Sequence, residues 1–390
     1  MRTTIMTGSD RLAEAESDWP SGLRLGLLTN PTGVNAGFET TAELCSRLTR
    51  VRLTALMACE HGIRGERQAG VLFEDERDER LQVPVYSLYS SAGKRPLPYM
   101  LDNLDAVLFD IQDVGVRFYT YISTLKTVME SCAEAGKAVI VLDRPNPLGG
   151  GAGEGGLLEP GFESFVGAAR MPIRTGLTIG ETAQYLNGLL PQPCRLQVVP
   201  LKGWNRSMGY EETGLPWIVP SPNIPTLETV RLYAGICLFE GTNVSEGRGT
   251  TRPFEQIGAP WIDGERLADE FNGRGMPGVH AHPVYFTPTF SKHQGELCGG
   301  VRLFVTDAAA FMAVRTGLYL LNAVHRLHPD RFVWLPPYRE GGRPFIDLLT
   351  GSELVRETVT GDDGPERIGT VWAEHENAWN EQRKRYEIYS

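Results

Sequence analysis

The sequence predicts an α/β protein: a parallel sheet in the first part of the chain, residues 1–233, and a smaller α+β part, residues 234–390. Three observations predict it. Short apolar runs alternate with amphipathic stretches through the first part, which is the pattern of βαβ units. Polar clusters follow the ends of those runs, where an open parallel sheet holds its ligands. Past residue 233 the alternation stops, while helical and strand patterns continue in mixed order.

Leu23–Leu28 reads as the first strand and runs into the turn Thr29-Asn30-Pro31-Thr32-Gly33. The G-x-G-x-x-G of a dinucleotide site is absent there. Thr40–Arg50 is helical in pattern, with Ala42, Leu44, Cys45 and Leu48 on one face. Val51–Ala58 is the second strand, and it ends in Cys59-Glu60-His61-Gly62-Ile63-Arg64-Gly65-Glu66. Val83–Leu88 is a short third strand. Asp105–Asp110 is the fourth, followed by Asp113, Arg117, Tyr119 and Tyr121 and then a helix over Ser123–Ala135. Two local alternatives compete for this polar group: Asp113 capping the helix, and Arg117 pairing with Asp110. Lys137–Leu142 is the fifth strand, ending in Asp143-Arg144-Pro145-Asn146-Pro147. Gly151, Gly153 and Gly156 fit G-x-G-x-x-G, but they follow no strand directly and open no helix. They read as a mobile loop rather than a phosphate cradle.

Ile179–Leu190 reads as a helix capped by Thr178, and Leu196–Leu201 as a further strand. Pro216–Thr226 holds too many prolines for regular structure and predicts a rigid loop. Phe239 to Phe254 carries Glu240, Asn243, Ser245, Glu246 and Arg248 among glycines, a loop whose backbone can approach a ligand closely. Gly264–Gly273 and Ala308–Leu327 look helical, and Val301–Val305 looks like a strand. The charged tail Trp379–Ser390 fits either a packed helix or a partner contact.

Composition narrows the function. Lys plus Arg is 38 and Asp plus Glu 48, giving a net charge of -10. That argues against a nucleic-acid binder or a membrane-surface protein, each of which needs a basic patch. None of the six cysteines forms a C-x-x-C pair, and buried free thiols in a reducing compartment account for them most simply. The histidines lack H-x-x-x-H and H-E-x-x-H spacing, so neither metal nor cofactor is expected. With no apolar signal region at the N-terminus and no apolar run of membrane-spanning length, the protein reads as cytoplasmic.

Six segments together resemble the NamZ-type exo-β-N-acetylmuramidases, formerly a domain family of unknown function. They are Leu27–Gly33, Glu60–Gly65, Asp110–Tyr121, Asp143–Pro147, Pro220–Thr226, and Glu240-Gly241-Thr242-Asn243 through Pro253-Phe254. The resemblance runs from about Gly8 to the end of the chain. It implies a Rossmann-like catalytic domain and a second domain closing a cleft over the site. It also implies exo-acting hydrolysis of β-linked N-acetylmuramic acid from the non-reducing end of peptidoglycan fragments. One departure stands out: Cys59 precedes Glu60-His61-Gly62, where the family commonly has proline. A cytoplasmic member would act on imported muropeptides or disaccharides, in recycling rather than wall digestion.

Glycoside hydrolysis calls for a carboxylic acid and a second carboxylate. Glu60 is expected to be the acid, because burial at a strand end beside His61 would raise its pKa. Asp113 is favoured as the second carboxylate and Glu246 next, with Asp110 a further candidate. Spacing in sequence leaves retaining, inverting and substrate-assisted mechanisms all open. Arg117, Arg144 and Arg248 are candidates for the lactyl carboxylate. Tyr119 and Tyr121 suit the sugar face, and Asn30, Asn146, Asn223, Asn243 and Ser245 suit its hydroxyls and acetamido group. A muropeptide-binding sensor without turnover is the alternative reading.

Overall fold

Residues 5–390 are described by a computed structural model. Seven strands form the main sheet: β1 Leu23–Thr29, β2 Val51–Ala58, β3 Glu76–Asp78, β4 Val83–Ser87, β5 Ala106–Asp110, β6 Ala138–Leu142 and β7 Arg195–Val199. Their order is β3-β4-β2-β1-β5-β6-β7. All neighbours are parallel except β3, which pairs antiparallel with β4. The central strands are continuous apolar runs because both faces are covered. Leu28, Met57, Val107, Phe109, Val139 and Val141 face one core, shared with the helices Tyr121–Glu134 and Ile179–Leu189. Alternate residues Leu25, Leu27, Leu56, Leu108, Ile140 and Leu142 face another, closed by Leu12, Trp19 and the helix Thr41–Arg47.

The predicted parallel strands all form. β3 escaped the reading because its three residues carry no apolar pattern and lie at the sheet edge. Thr178 does cap its helix, accepting from the Glu181 N–H at 3.2 Å. The Gly149–Gly156 segment is not a loose loop. Glu154 N–H donates to the Arg174 carbonyl, Gly155 N–H to the Glu376 carboxylate, and the glycines leave room for the indoles of Trp372 and Trp379.

The second part has a three-stranded antiparallel sheet, β8 Gln256–Ala259, β9 Val279–Phe286 and β10 Cys298–Val305, in the order β8-β10-β9. The helix Gly264–Asn272 packs on it. The helix predicted from Ala308 begins at Ala313, after a turn. Helix Leu227–Ile236 crosses helix Ala313–Leu327 backbone to backbone: a Cβ on Gly235 would come within 2.0 Å of the Ala313 carbonyl. Helix Gly364–Arg383 then returns to the first part, where Trp379 Nε1 donates to the Thr175 carbonyl at 2.8 Å and Tyr389 donates to Asp143. The charged tail is therefore packed rather than free. One apolar cluster runs through both parts of the chain.

Candidate active site

A cleft of about 580 Å³ opens between the β2 and β4 ends of the sheet and the second part of the chain. Its first wall begins where β2 ends. His61 (φ 76°) and Gly62 (φ 78°) take left-handed backbone in succession, a turn that leaves Glu60 at the strand tip. Glu60 is 7 % exposed. Its Oε1 accepts from Gly70 N–H at 3.0 Å and its Oε2 from the Thr120 hydroxyl at 2.7 Å. Burial pushes the Glu60 carboxyl up, but Thr120, His61, Gly70 and Tyr89 together outweigh it and the net direction is down. Burial does act in the direction expected from sequence, but the donors aimed at both oxygens favour the anion.

The pKa of His61 moves down, chiefly from burial, with the charge of Glu60 opposing it. Its Nδ1 lies 2.8 Å from the Arg67 carbonyl and so carries the proton, which leaves Nε2 without a protein partner among the described residues. Tyr119 lines the same wall, and its buried hydroxyl has no partner either. Lys94 stands over the rings of Tyr89 and Phe165, and Asn223 comes in from the proline-rich loop.

The second wall is the 240–254 loop. Arg248 donates from Nε and Nη2 to one oxygen of Glu240, at 2.9 and 2.7 Å, and lies 3.4 Å from Glu246. Burial works against its charge, but Glu240 and Glu246 outweigh burial and hold its pKa above the usual value. Lys292 donates to Glu246 at 2.9 Å and to the carbonyls of Phe239 and Val244 at 2.7 and 3.0 Å. Tyr338 lies at the rim, 79 % exposed.

Of the residues expected from sequence, the cleft gathers Glu60, His61, Tyr119, Asn223, Glu246 and Arg248. The others are bound up in the scaffold. Asp110 takes two N–H donors from Arg144, at 2.6 and 2.9 Å, and the Thr41 hydroxyl. So it is Arg144, not Arg117, that pairs with Asp110. Arg117 is fully buried and donates to the carbonyls of Gly156, Met171 and Leu349, which joins the two parts of the chain. Burial pushes its pKa down to about 9. Asn30 and Tyr121 bond each other and the Pro220 carbonyl. Asn146 holds Leu148 and Leu177, Asn243 holds Arg331 and Val333, and Ser245 closes a turn onto Gly247.

Asp113 does not line the cleft and does not cap the helix. Its Oδ2 accepts from Gly115 N–H at 2.6 Å, its Oδ1 is buried without a partner, and burial raises its pKa to about 7. The carboxylates that line the cleft are Glu60, Glu240 and Glu246, so of the two expected second carboxylates it is Glu246 that faces it.

Models of the exo-β-N-acetylmuramidase NamZ match almost the whole chain, the N-terminal model over residues 25–228 and the C-terminal model over 231–389. The chain belongs to the NamZ family. It is 44% identical over 385 residues to the peptidoglycan β-N-acetylmuramidase NamZ of Bacillus subtilis (strain 168), covering 99% of this chain and 91% of that one. Two crystal structures of DUF1343 family proteins from Bacteroides fragilis NCTC 9343 share the fold. One matches with a TM-score of 0.91 and 36% identity over 100% of both chains. The other has a TM-score of 0.78 and 30% identity, over 100% of this chain and 99% of that one.

In this NamZ-family chain, sequence reasoning missed Tyr89, Lys94, Thr120, Glu240, Lys292 and Tyr338 as cleft residues. Thr120 and Glu240 lie inside the singled-out stretches, where residue type alone does not tell them from their polar neighbours. Lys94, Lys292 and Tyr338 come from loops without any motif, so only folding reveals them. Cys59, where the family commonly has proline, is buried with its thiol directed to the Glu60 carbonyl at 3.7 Å.

Proposed function

We propose that this glycoside hydrolase releases β-linked N-acetylmuramic acid from the non-reducing end of peptidoglycan fragments within the Glu60 cleft. The observation that carries the choice of cleft is Glu60 itself. It is a buried carboxylate at a strand tip, held by two donors and next to a histidine whose Nε2 has no protein partner among the described residues. Across the cleft stands the Glu240–Arg248–Glu246–Lys292 network.

A carboxyl that rests ionised is suited to accept a proton from water or to attack the anomeric carbon. We therefore assign Glu60 that role in place of the proton donor expected from sequence. Of the two further carboxylates in the cleft, Glu240 and Glu246, we favour Glu246 as the second catalytic group, and Tyr119 and Asn223 supply hydrogen bonds to the sugar. In this reading residues 1–233 provide Glu60 and residues 234–390 provide Glu246, Arg248 and Lys292. Helix Leu227–Ile236 spans the division.

The setting we propose is the cytoplasm, with imported muropeptides as substrate. Six buried free cysteines support a reducing compartment. Finding the enzyme outside the cell on fractionation would overturn that setting.

An aryl β-N-acetylmuraminide tests the site. Glu60→Gln should lower kcat at least ~10²-fold, the worth of a positioned proton-transfer group, while calorimetry still detects muropeptide binding. Full turnover by that variant would remove Glu60 from the chemistry. Equal release from the matching glucosaminide by the wild-type enzyme would remove muramic acid as the preferred sugar.

A further inference from the structure

N-acetylmuramic acid differs from N-acetylglucosamine by a lactyl ether that ends in a carboxylate. An enzyme that prefers the first must offer that carboxylate a cation whose own charge is not already taken by a protein carboxylate. The three arginines expected for the task do not qualify. Arg117 is sealed among carbonyls, Arg144 is paired with Asp110, and Arg248 is paired with Glu240.

The cations lining the cleft are Lys94, Arg248 and Lys292. Arg248 and Lys292 face Glu240 and Glu246, so that wall is balanced in charge. All three protons of the Lys292 ammonium are already donated, to Phe239, Val244 and Glu246. Lys94 is different. No carboxylate lies within ion-pair distance of it among the described residues. Its ammonium donates once, to the Tyr89 hydroxyl at 2.8 Å. It stands 4.3 Å from the Tyr89 ring centre and 4.2 Å from that of Phe165. Those rings steady a cation without neutralising it. Two ammonium protons are left without a protein acceptor among the described residues.

Lys94 also lines the same cleft as Glu60. It follows β4, and β4 pairs with β2, whose end carries Glu60. Burial lowers the Lys94 pKa while the charge of Glu60 opposes that, so the ammonium lies in the field of the Glu60 carboxylate.

We propose that Lys94 reads the lactyl carboxylate and sets the preference for muramic acid over glucosamine. The proposal rests on the reading of this cleft as the glycan site. A lysine serves here as a compact point charge rather than a two-pronged fork.

The test uses two substrates, an aryl β-N-acetylmuraminide and the same glycoside with its lactyl acid converted to the amide. Wild type should prefer the acid about 10- to 100-fold in kcat/KM, mainly through KM, the worth of one charge-assisted hydrogen bond. Lys94→Met should bring that ratio close to one, and Lys94→Arg should restore most of it. A preserved acid-over-amide ratio in Lys94→Met overturns the proposal. So does an equal loss on both substrates that Lys94→Arg does not repair, since that is what a merely structural lysine would give. Should Lys94→Met fail to fold, the wild-type ratio still decides: a wild type indifferent to acid and amide has no such reader. Wild type inactive on both glycosides overturns the reading of the cleft, and this proposal with it. Activity with the ratio unmoved by Lys94 variants overturns the proposal alone.

Discussion

The carboxyl edge of the sheet carries two polar clusters of similar composition and opposite use. One lies at β1, β5 and β6 and holds Asn30, Asp110, Arg144 and Asn146. The other lies at β2 and β4 and holds Glu60, His61, Tyr89 and Lys94. The first sits at the topological switch point, where chain order reverses between β1 and β5 and a ligand would ordinarily bind. Here the protein fills that place itself. Asp110 is saturated by Arg144 and Thr41, and Asn30 and Tyr121 tie down the Pro220 carbonyl. In the second cluster hydrogen-bonding capacity is left over: His61 Nε2 and two Lys94 protons have no protein partner among the described residues. Residue type marks both clusters alike. Unused valence at a cleft separates them.

The largest effects should come from pitting the two clusters against each other. Arg144→Met leaves Asp110 buried with two of its three side-chain hydrogen bonds gone. Breaking one side of a buried ion pair costs about 3–5 kcal/mol, read as a lowered urea midpoint. The fraction still folded should turn over substrate nearly as wild type does. Glu60→Gln should do the reverse, keeping the unfolding midpoint close to wild type while kcat falls at least ~10²-fold. If Arg144→Met instead lost activity while holding its stability, Arg144 would belong to the chemistry and the division between clusters would fail.

Much of this division was out of reach of the sequence. The βα alternation made the parallel strands and their order of chemistry legible, because fully buried strands must be apolar throughout. The Glu60-His61-Gly62 turn could be singled out because a strand that ends in charge needs a reason. What could not be read was which polar side chains satisfy one another. Arg144 and Asp110 are 34 positions apart, and Arg117 meets Leu349 across 232. Long-range pairing of that kind is settled by packing, and Lys94 and Lys292 reached the cleft by the same route.

Asp113 gives a smaller effect, and it sharpens the contrast from inside the scaffold. Its pKa is raised to about 7 by burial, from an ordinary 3.8. The folded protein therefore holds this proton more tightly than the unfolded chain does. Stability from this group is complete below about pH 4 and is lost as pH rises through about 7. Asp113→Asn keeps an oxygen for the Gly115 N–H and cannot ionise. It should gain up to about 4 kcal/mol over wild type at pH 8 and little at pH 4. An equal gain at both pH values would show that the carboxyl does not titrate in this range.

Thr120 gives the smallest effect and tests the Glu60 assignment most directly. Its hydroxyl donates to Glu60 Oε2 at 2.7 Å and, after burial, is the largest influence on the Glu60 pKa, drawing it down. Glu60 acts ionised, so kcat/KM should fall as pH drops through a value below the usual 4.5 of a glutamate. Thr120→Val removes the donor while keeping the shape of the side chain. One hydrogen bond to a charged group is worth about 1.5 kcal/mol, so the acid limb should move up by about one pH unit. At pH 7 the carboxyl stays ionised in both proteins, so the rate there should change little. A limb on the alkaline side that moves instead would mean that Glu60 works protonated, and the proton-donor role first expected of it would be restored.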